Sequence, residues 1–355
     1  MRIVIQPRAR GIAMIIVMLV IVVLGLLAAK LAYSMRVEMK LARNVDSESD
    51  LEWLGRSGVE LARYVLAQQL NIPAEAGFTA LNQKWAGGPG GTNELLADIS
   101  LENNQLGRGR YSVKIIDLER KMNINFAIAN GETIKQALRL MGVDSFDAST
   151  VVDSMEDWYD KDPDPHVNGA ESDFYLNLPQ PYEAKNGPLD DITELLLIRG
   201  VTPEIYWGAA GTNRFRQLGS RSLAGADPTF SYGLVDLFST VGRLQINLNT
   251  ASVGVLQLLP GIDQNLAEGI VKLRAGLDGV DGTEDDTPLH SPGELINVPG
   301  MIPTFVGQVS RFAGVHSYTF EAQVDVELDQ YKRRLVALLI RNGPRDVQVL
   351  NMHWE

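Results

Sequence analysis

Acidic residues crowd between positions 157 and 173. Asp157-Trp158-Tyr159-Asp160-Lys161-Asp162-Pro163-Asp164 runs on to Asn168, Gly169, Glu171 and Asp173. Four carboxylates within eight residues repel one another unless water or a cation sits among them. Hard oxygen donors at this density suit calcium, which takes about 6–8 oxygens and tolerates irregular loops. The spacing is not that of an EF-hand, which needs a Gly at its turn and a closing Glu. A loop that is simply solvated explains the composition equally well. A second acidic loop, from Asp278 through Asp281, Glu284 and Asp285 to Asp286, is a weaker candidate of the same kind.

Other chemistries lack their residues. The four histidines, His166, His290, His316 and His353, are scattered and form no His-Glu-x-x-His unit. There is no Gly-x-Ser-x-Gly elbow and no Walker loop. The absence of cysteine excludes thiol catalysis and Cys-based zinc or iron–sulfur sites. The acidic side chains crowd in loops rather than facing one another across a cleft, so glycosidase chemistry has no support. With 32 basic against 44 acidic residues the net charge is −12, a surface that repels phosphate backbones. The chain is expected to be a non-enzyme that does not bind nucleic acid.

The elements around the acidic loops repeat. Met122-Asn123-Ile124-Asn125-Phe126-Ala127 echoes Ile246-Asn247-Leu248-Asn249-Thr250-Ala251. Ala137 to Val143 echoes Gln257 to Ile262, and Ile192 to Pro203 echoes Ser291 to Pro303. Helical segments and an acidic loop lie between the matched pieces in each copy, which predicts a duplicated helical unit. Leu258-Leu259-Pro260-Gly261-Ile262, with Ala267, Ile270 and Leu273 beyond, looks like a helix-hairpin-helix. In DNA-binding versions the second helix's N-terminus holds a phosphate. Here that helix opens with Asp263 among acidic neighbours, so a packing role is favoured.

Strand signals flank this unit. Tyr111, Val113, Ile115 and Ile116 form a β-prone stretch ending at Arg120. Phe320, Ala322, Val324, Val326 and Leu328 alternate with acidic residues or Gln, the period of a half-exposed strand. Leu335–Ile340 and Val347–Leu350 supply further strands, with Arg341-Asn342-Gly343-Pro344 as the turn between them. From Lys30 to about Leu70 an apolar face of Leu51, Leu54, Gly58, Leu61, Ala62, Val65 and Leu66 predicts a helix ended by Pro73. Before it, Ile12 to Ala29 carries no charged side chain. As a helix it rises about 27 Å, close to the hydrocarbon thickness of a bilayer. Arg2, Arg8 and Arg10 on its flank predict a cytoplasmic N-terminus.

A short basic leader ending at Gly11, directly before this helix, resembles the class III leader of type IV pilins and type II secretion pseudopilins. Ile16 stands where major pilins carry a Glu at the fifth mature position. An apolar residue there is a feature of the K-type minor pseudopilins of the general (type II) secretion pathway. Asp157-Trp158-Tyr159-Asp160, Gly169-Ala170-Glu171, Tyr175, Pro181-Tyr182, Asn186-Gly187-Pro188-Leu189 and Glu194-Leu195, with the paired Asn-x-Asn segments, look like the corresponding run of that family. The resemblance implies cleavage by prepilin peptidase between Gly11 and Ile12. It also implies calcium, with Asp157, Asp160, Asp162, Asp164, Glu171 and Asp173 as candidate ligands.

The expected fold is α+β. A pilin-like N-terminal transmembrane and amphipathic helix packs on a small antiparallel sheet, and a large all-α domain with duplicated helix-hairpin-helix-like units is inserted. The segments are a leader at 1–11, a membrane helix at 12–29, a stem, connector and first strand at 30–120, the insert at 121–316, and the last strands at 317–355. The implied function is a tip subunit of the type II secretion pseudopilus that initiates or caps assembly for export across the outer membrane. Its expected partners are I- and J-type minor pseudopilins, prepilin peptidase and the inner membrane, which it would cross once with its C-terminal domain in the periplasm. Two alternatives are a competence-type pseudopilin that binds DNA through its helix-hairpin-helix and a membrane-anchored metal-dependent hydrolase.

Overall fold

One helix, α1, runs unbroken from Arg10 to Gln69. Its 60 residues make a rod of about 90 Å at 1.5 Å per residue. The structure, a computed structural model, describes residues 10–90, 95–208 and 230–355. Most of the expected leader therefore lies outside the described residues, while Gly11 and Ile12 fall in the first turn of α1. Met14–Leu41 is long and apolar enough to cross a membrane, and none of it is buried by the rest of the protein.

From Leu51 onward α1 lies on a five-stranded sheet. Its strands are β1 (Asn104–Leu106), β2 (Gly109–Asp117), β3 (Thr319–Leu328), β4 (Tyr331–Gly343) and β5 (Asp346–Trp354). They stand side by side in chain order, each antiparallel to the next. Alternation sends Val113, Val324 and Leu335 to the stem side in one register row, and all three are buried. Burial of such side chains stabilises by about 1.5–3 kcal/mol each. Gly58 sets the helix-to-sheet distance, because a Cβ there would stand 2.3 Å from Val324 Cγ1. About one turn earlier in α1, the Trp354 ring lies over Gly55 and its Nε1 donates to Glu52 Oε2 at 2.9 Å.

Two strand ends differ from the sequence reading. β2 stops at Asp117 rather than Arg120, because the Asp117 carboxylate turns back to accept the Glu119 N–H at 2.9 Å. β4 continues through Arg341 and Asn342, and Gly343 pairs with Asp346, so the turn falls on Pro344 and Arg345. Arg341 stays in the strand because its guanidinium is used inside. It donates to Thr79 Oγ1 and to Ser317 O, both at 2.8 Å.

Between β2 and β3 the chain builds a second apolar core, and Phe78 and Ala80 of the connector pack into it. The insert is not all-α as expected, because the sequence repeat reappears there as two short parallel strand pairs. Met122–Asn123 pairs in parallel with Phe238–Ser239, and Ile246–Asn247 with Ala313–Gly314. Asn125 exchanges two hydrogen bonds with the Leu189 backbone at 3.0 and 2.8 Å. Asn249 makes the same pair with Leu289 at 2.9 and 2.8 Å. Gly142 and Gly261 take the left-handed backbone at corresponding turns.

A buried polar seam joins the two cores. Asp117 Oδ2 accepts from Ser317 Oγ at 2.6 Å and Thr250 Oγ1 at 2.5 Å, while Asn247 Nδ2 donates to Thr79 O and Ser317 Oγ. Glu119 Oε2 accepts the backbone N–H groups of Tyr318 and Thr319, both at 2.9 Å. Burial pushes the Asp117 and Glu119 carboxyls above their usual range and brings Arg341 down to about 10.

Candidate metal centre

Helix α2 spans Ile124–Ile128, α3 Gly131–Met141 and α4 Ser145–Tyr159. Asp144 starts α4 by accepting the Phe146 N–H, and Val151, Val152, Met155 and Trp158 fix its buried face. Asp157 shares that burial and is 0% exposed. Its Oδ1 accepts the His166 N–H at 3.0 Å and lies 2.5 Å from His166 Nδ1. Its Oδ2 is buried without a hydrogen-bond partner.

Three further oxygens in this neighbourhood are buried and unpartnered: Asp160 Oδ1, Glu171 Oε1 and Asn186 Oδ1. Asp160 follows directly on α4, and Glu171 directly precedes α5 (Ser172–Leu176). Asn186, in left-handed backbone, stands beside the end of α4, where the Gly187 N–H donates to Trp158 O at 3.2 Å. Ligand atoms of Asp157, Asp160 and His166 all lie within 4.8 Å of one another. Gly169 closes over them, since a Cβ there would come within 1.9 Å of Asp157 Oδ2.

Unpartnered buried carboxylate oxygens are costly unless a positive charge or a donor meets them. Burial, then the carboxylates of Asp162 and Asp157, pushes Asp160 up. Burial, then Asp157 and Asp160, does the same to Glu171. His166 is raised chiefly by its hydrogen bond with Asp157. Two positive side chains of the surrounding segments are used elsewhere: Arg199 donates to Gly169 O, and Lys185 pairs with Asp190 and Glu194. Among the described residues, no Lys or Arg pairs with Asp157, Asp160 or Glu171. This donor set fits a divalent cation held by oxygens.

Of the ligands expected from the sequence, Asp157, Asp160 and Glu171 bring buried oxygens to this centre. Asp162, Asp164 and Asp173 are exposed, and Asp162 Oδ1 accepts the Asp164 N–H at 3.2 Å. Asn186 and His166 were not among the expected ligands. The left-handed conformation of Asn186 beside Gly187 has only a faint signal in sequence, and His166 looks like an isolated surface histidine until the loop folds back on α4.

The second acidic loop is arranged differently. It follows the helix Gln264–Arg274, whose last residue, Arg274, is 4% exposed. The guanidinium meets both Asp281 carboxylate oxygens at 2.9 and 2.7 Å and donates to Leu248 O and Ala251 O. Asp285 Oδ2 accepts the N–H groups of Leu277 and Asp278, Asp286 Oδ2 accepts that of Gly282, and Glu284 is exposed. Those backbone bonds hold the Asp285 carboxyl below its usual value. An internal cation serves this copy where the first has an open acidic centre.

The family model described as "Type II secretion system (T2SS), protein K" matches residues 121–209, which contain the centre. Type II secretion system protein K of Klebsiella pneumoniae is 24% identical over 352 residues, covering 95% of this chain and 94% of the relative. Its counterpart in Pseudomonas aeruginosa is 25% identical over 351 residues, covering 96% and 91%. Along most of its length the chain is similar to type II secretion system protein K. A chain from the crystal structure of the GspK-GspI-GspJ complex of enterotoxigenic Escherichia coli shares the fold, superposing with a TM-score of 0.63 at 18% identity and covering 88% of this chain and 99% of that one.

Proposed function

We propose that this pseudopilin occupies the tip of the type II secretion pseudopilus, where it initiates and caps the assembly that drives export across the outer membrane. Its stem joins those of I- and J-type minor pseudopilins, the companions of the K-type chain in the similar crystal structure. The observation that carries the reading is the pairing of a fully exposed apolar segment, Met14–Leu41, with a bulky duplicated head inserted between β2 and β3. The rod lets the subunit enter a fibre, and the head obstructs a further subunit above it. Prepilin peptidase cuts between Gly11 and Ile12, and the helix crosses the inner membrane once with the head in the periplasm. The work is assembly rather than catalysis.

The duplicated units are helix-hairpin-helix-like and serve as packing. Asp263 supports this, because its Oδ1 accepts the Leu266 N–H at 2.9 Å and places a carboxylate where a phosphate would sit. Calcium is held by Asp157, Asp160 and Glu171 with Asn186 beside them, neutralising the centre and stiffening the head. A cation bound only by the folded form stabilises it by mass action.

Co-expression with I- and J-type pseudopilins should return a ternary complex, and labelled subunits should mark the ends of fibres. Label spread along fibre shafts would sink the tip assignment. Calcium added to the detergent-solubilised full chain should raise its melting temperature, and Asp157→Ala with Asp160→Ala should remove the rise. A melting curve indifferent to calcium would defeat the calcium assignment while leaving the tip reading intact.

A further inference from the structure

His166 is the one nitrogen donor in the group formed with Asp157 and Asp160. Its Nδ1 stands 2.5 Å from Asp157 Oδ1. A proton bridges the two atoms at that distance, and an ion entering the group would replace it and spread them apart. Asp157 is fully buried and turns its unpartnered Oδ2 into the same space, as Asp160 does with Oδ1. The ring itself is 44% exposed, so an ion arriving from solvent meets the imidazole first. Its main-chain N–H also donates to Asp157 Oδ1, which fixes the loop independently of the ring.

Imidazole changes which metals such a site prefers. Carboxylates alone suit calcium and magnesium, whereas one imidazole with carboxylates suits zinc and other first-row divalent ions. Zinc takes four ligands, His nitrogen at about 2.0–2.1 Å and carboxylate oxygen at about 2.0–2.2 Å. Ligand atoms within 4.8 Å of one another can close on such an ion with small side-chain movements, and Glu171 Oε1 supplies another buried oxygen.

We propose that His166, Asp157 and Asp160 form a site for a first-row divalent transition ion, with His166 as a direct ligand, so that zinc competes with calcium for the head of this pseudopilin. The inference rests on the metal-centre reading but not on calcium being the ion.

Zinc chloride and calcium chloride are titrated separately into the detergent-solubilised full chain, with melting temperature and isothermal calorimetry as readouts. Wild type should bind zinc, and calcium should weaken that binding by competition. His166→Ala should weaken zinc binding at least about tenfold, a larger loss than the same variant causes in calcium binding. The main-chain hydrogen bond from position 166 is retained in this variant, and its melting temperature without metal reports whether it folds. His166→Gln serves as a second, less disruptive variant. Zinc binding unchanged in both variants, or no zinc binding by wild type, overturns the proposal. A His166-dependent zinc response without any calcium response supports it while removing calcium as the ion.

Discussion

Asn249 holds Leu289 by both of its backbone groups: Nδ2 donates to the carbonyl at 2.9 Å, and Oδ1 accepts the N–H at 2.8 Å. The two residues are forty positions apart, and the clasp ties the start of the second copy to the segment after its acidic loop. Asn249 is 2% exposed, so water cannot replace the lost partners. Asn249→Ala should destabilise the head by about 2–4 kcal/mol, the cost of two unsatisfied buried backbone groups. Urea denaturation followed by tryptophan fluorescence measures it, and a loss under about 0.5 kcal/mol would show that the clasp is energetically idle.

The contact between stem and sheet makes a second prediction. A methyl at position 58 collides with Val324, whereas one at Gly25 meets nothing within 4 Å. Gly58→Ala should cost about 1–3 kcal/mol through overpacking. Gly25→Ala should leave the melting temperature of the head unchanged, so the pair separates steric conflict from a general effect of replacing glycine in α1.

Arg274 balances the second acidic loop. Arg274→Ala removes a buried cation and leaves Asp281 and two carbonyls without it, a loss of about 3 kcal/mol. Asp281 keeps partial access to solvent, so Asp281→Asn should cost less than Arg274→Ala. Equal costs in denaturation would contradict the buried-guanidinium account.

The first acidic loop predicts a pH dependence in the absence of metal. Asp160 and Glu171 are raised above their ordinary values by burial and by neighbouring carboxylates, and His166 by its hydrogen bond to Asp157. A group raised in the folded state binds more protons folded than unfolded, so stability falls as pH rises. The contribution is complete below the ordinary carboxylate and imidazole values and disappears as pH climbs through the raised ones. Melting temperatures in a chelator should therefore drop across the mildly acidic to neutral range. Asp160→Asn with Glu171→Gln should flatten the carboxylate part of that drop; an unaltered slope would place its origin elsewhere.

Much of the architecture is legible in the residues. The stem face from Leu51 to Leu66, the alternation from Phe320 to Leu328 and the paired Asn-x-Asn segments are periodic, and periodic burial leaves a direct imprint on sequence. The strand ends at Asp117 and Gly343 were misplaced because side-chain hydrogen bonds decide them, through the Asp117 turn-back and the inward use of Arg341. The acidic centre was half legible. Composition singles out Asp157 and Asp160, but whether an Asp in a loop faces inward, as Asp160 does, or outward, as Asp162 does, depends on where the chain folds back. Neither Asn186 nor His166 belongs to a periodic pattern. Each reaches the centre through a turn whose course is set by distant contacts.

Helix α1 contains no proline from Arg10 to Gln69, and its last turns are fastened to the sheet by Gly58 and Trp354. Such a shaft behaves as a push-rod. A displacement applied at its exposed apolar end is delivered to the head with little lost to bending, and the polar seam around Asp117 and Arg341 passes it on to the duplicated unit. Axial movement of the apolar end and travel of the head are, mechanically, the same stroke.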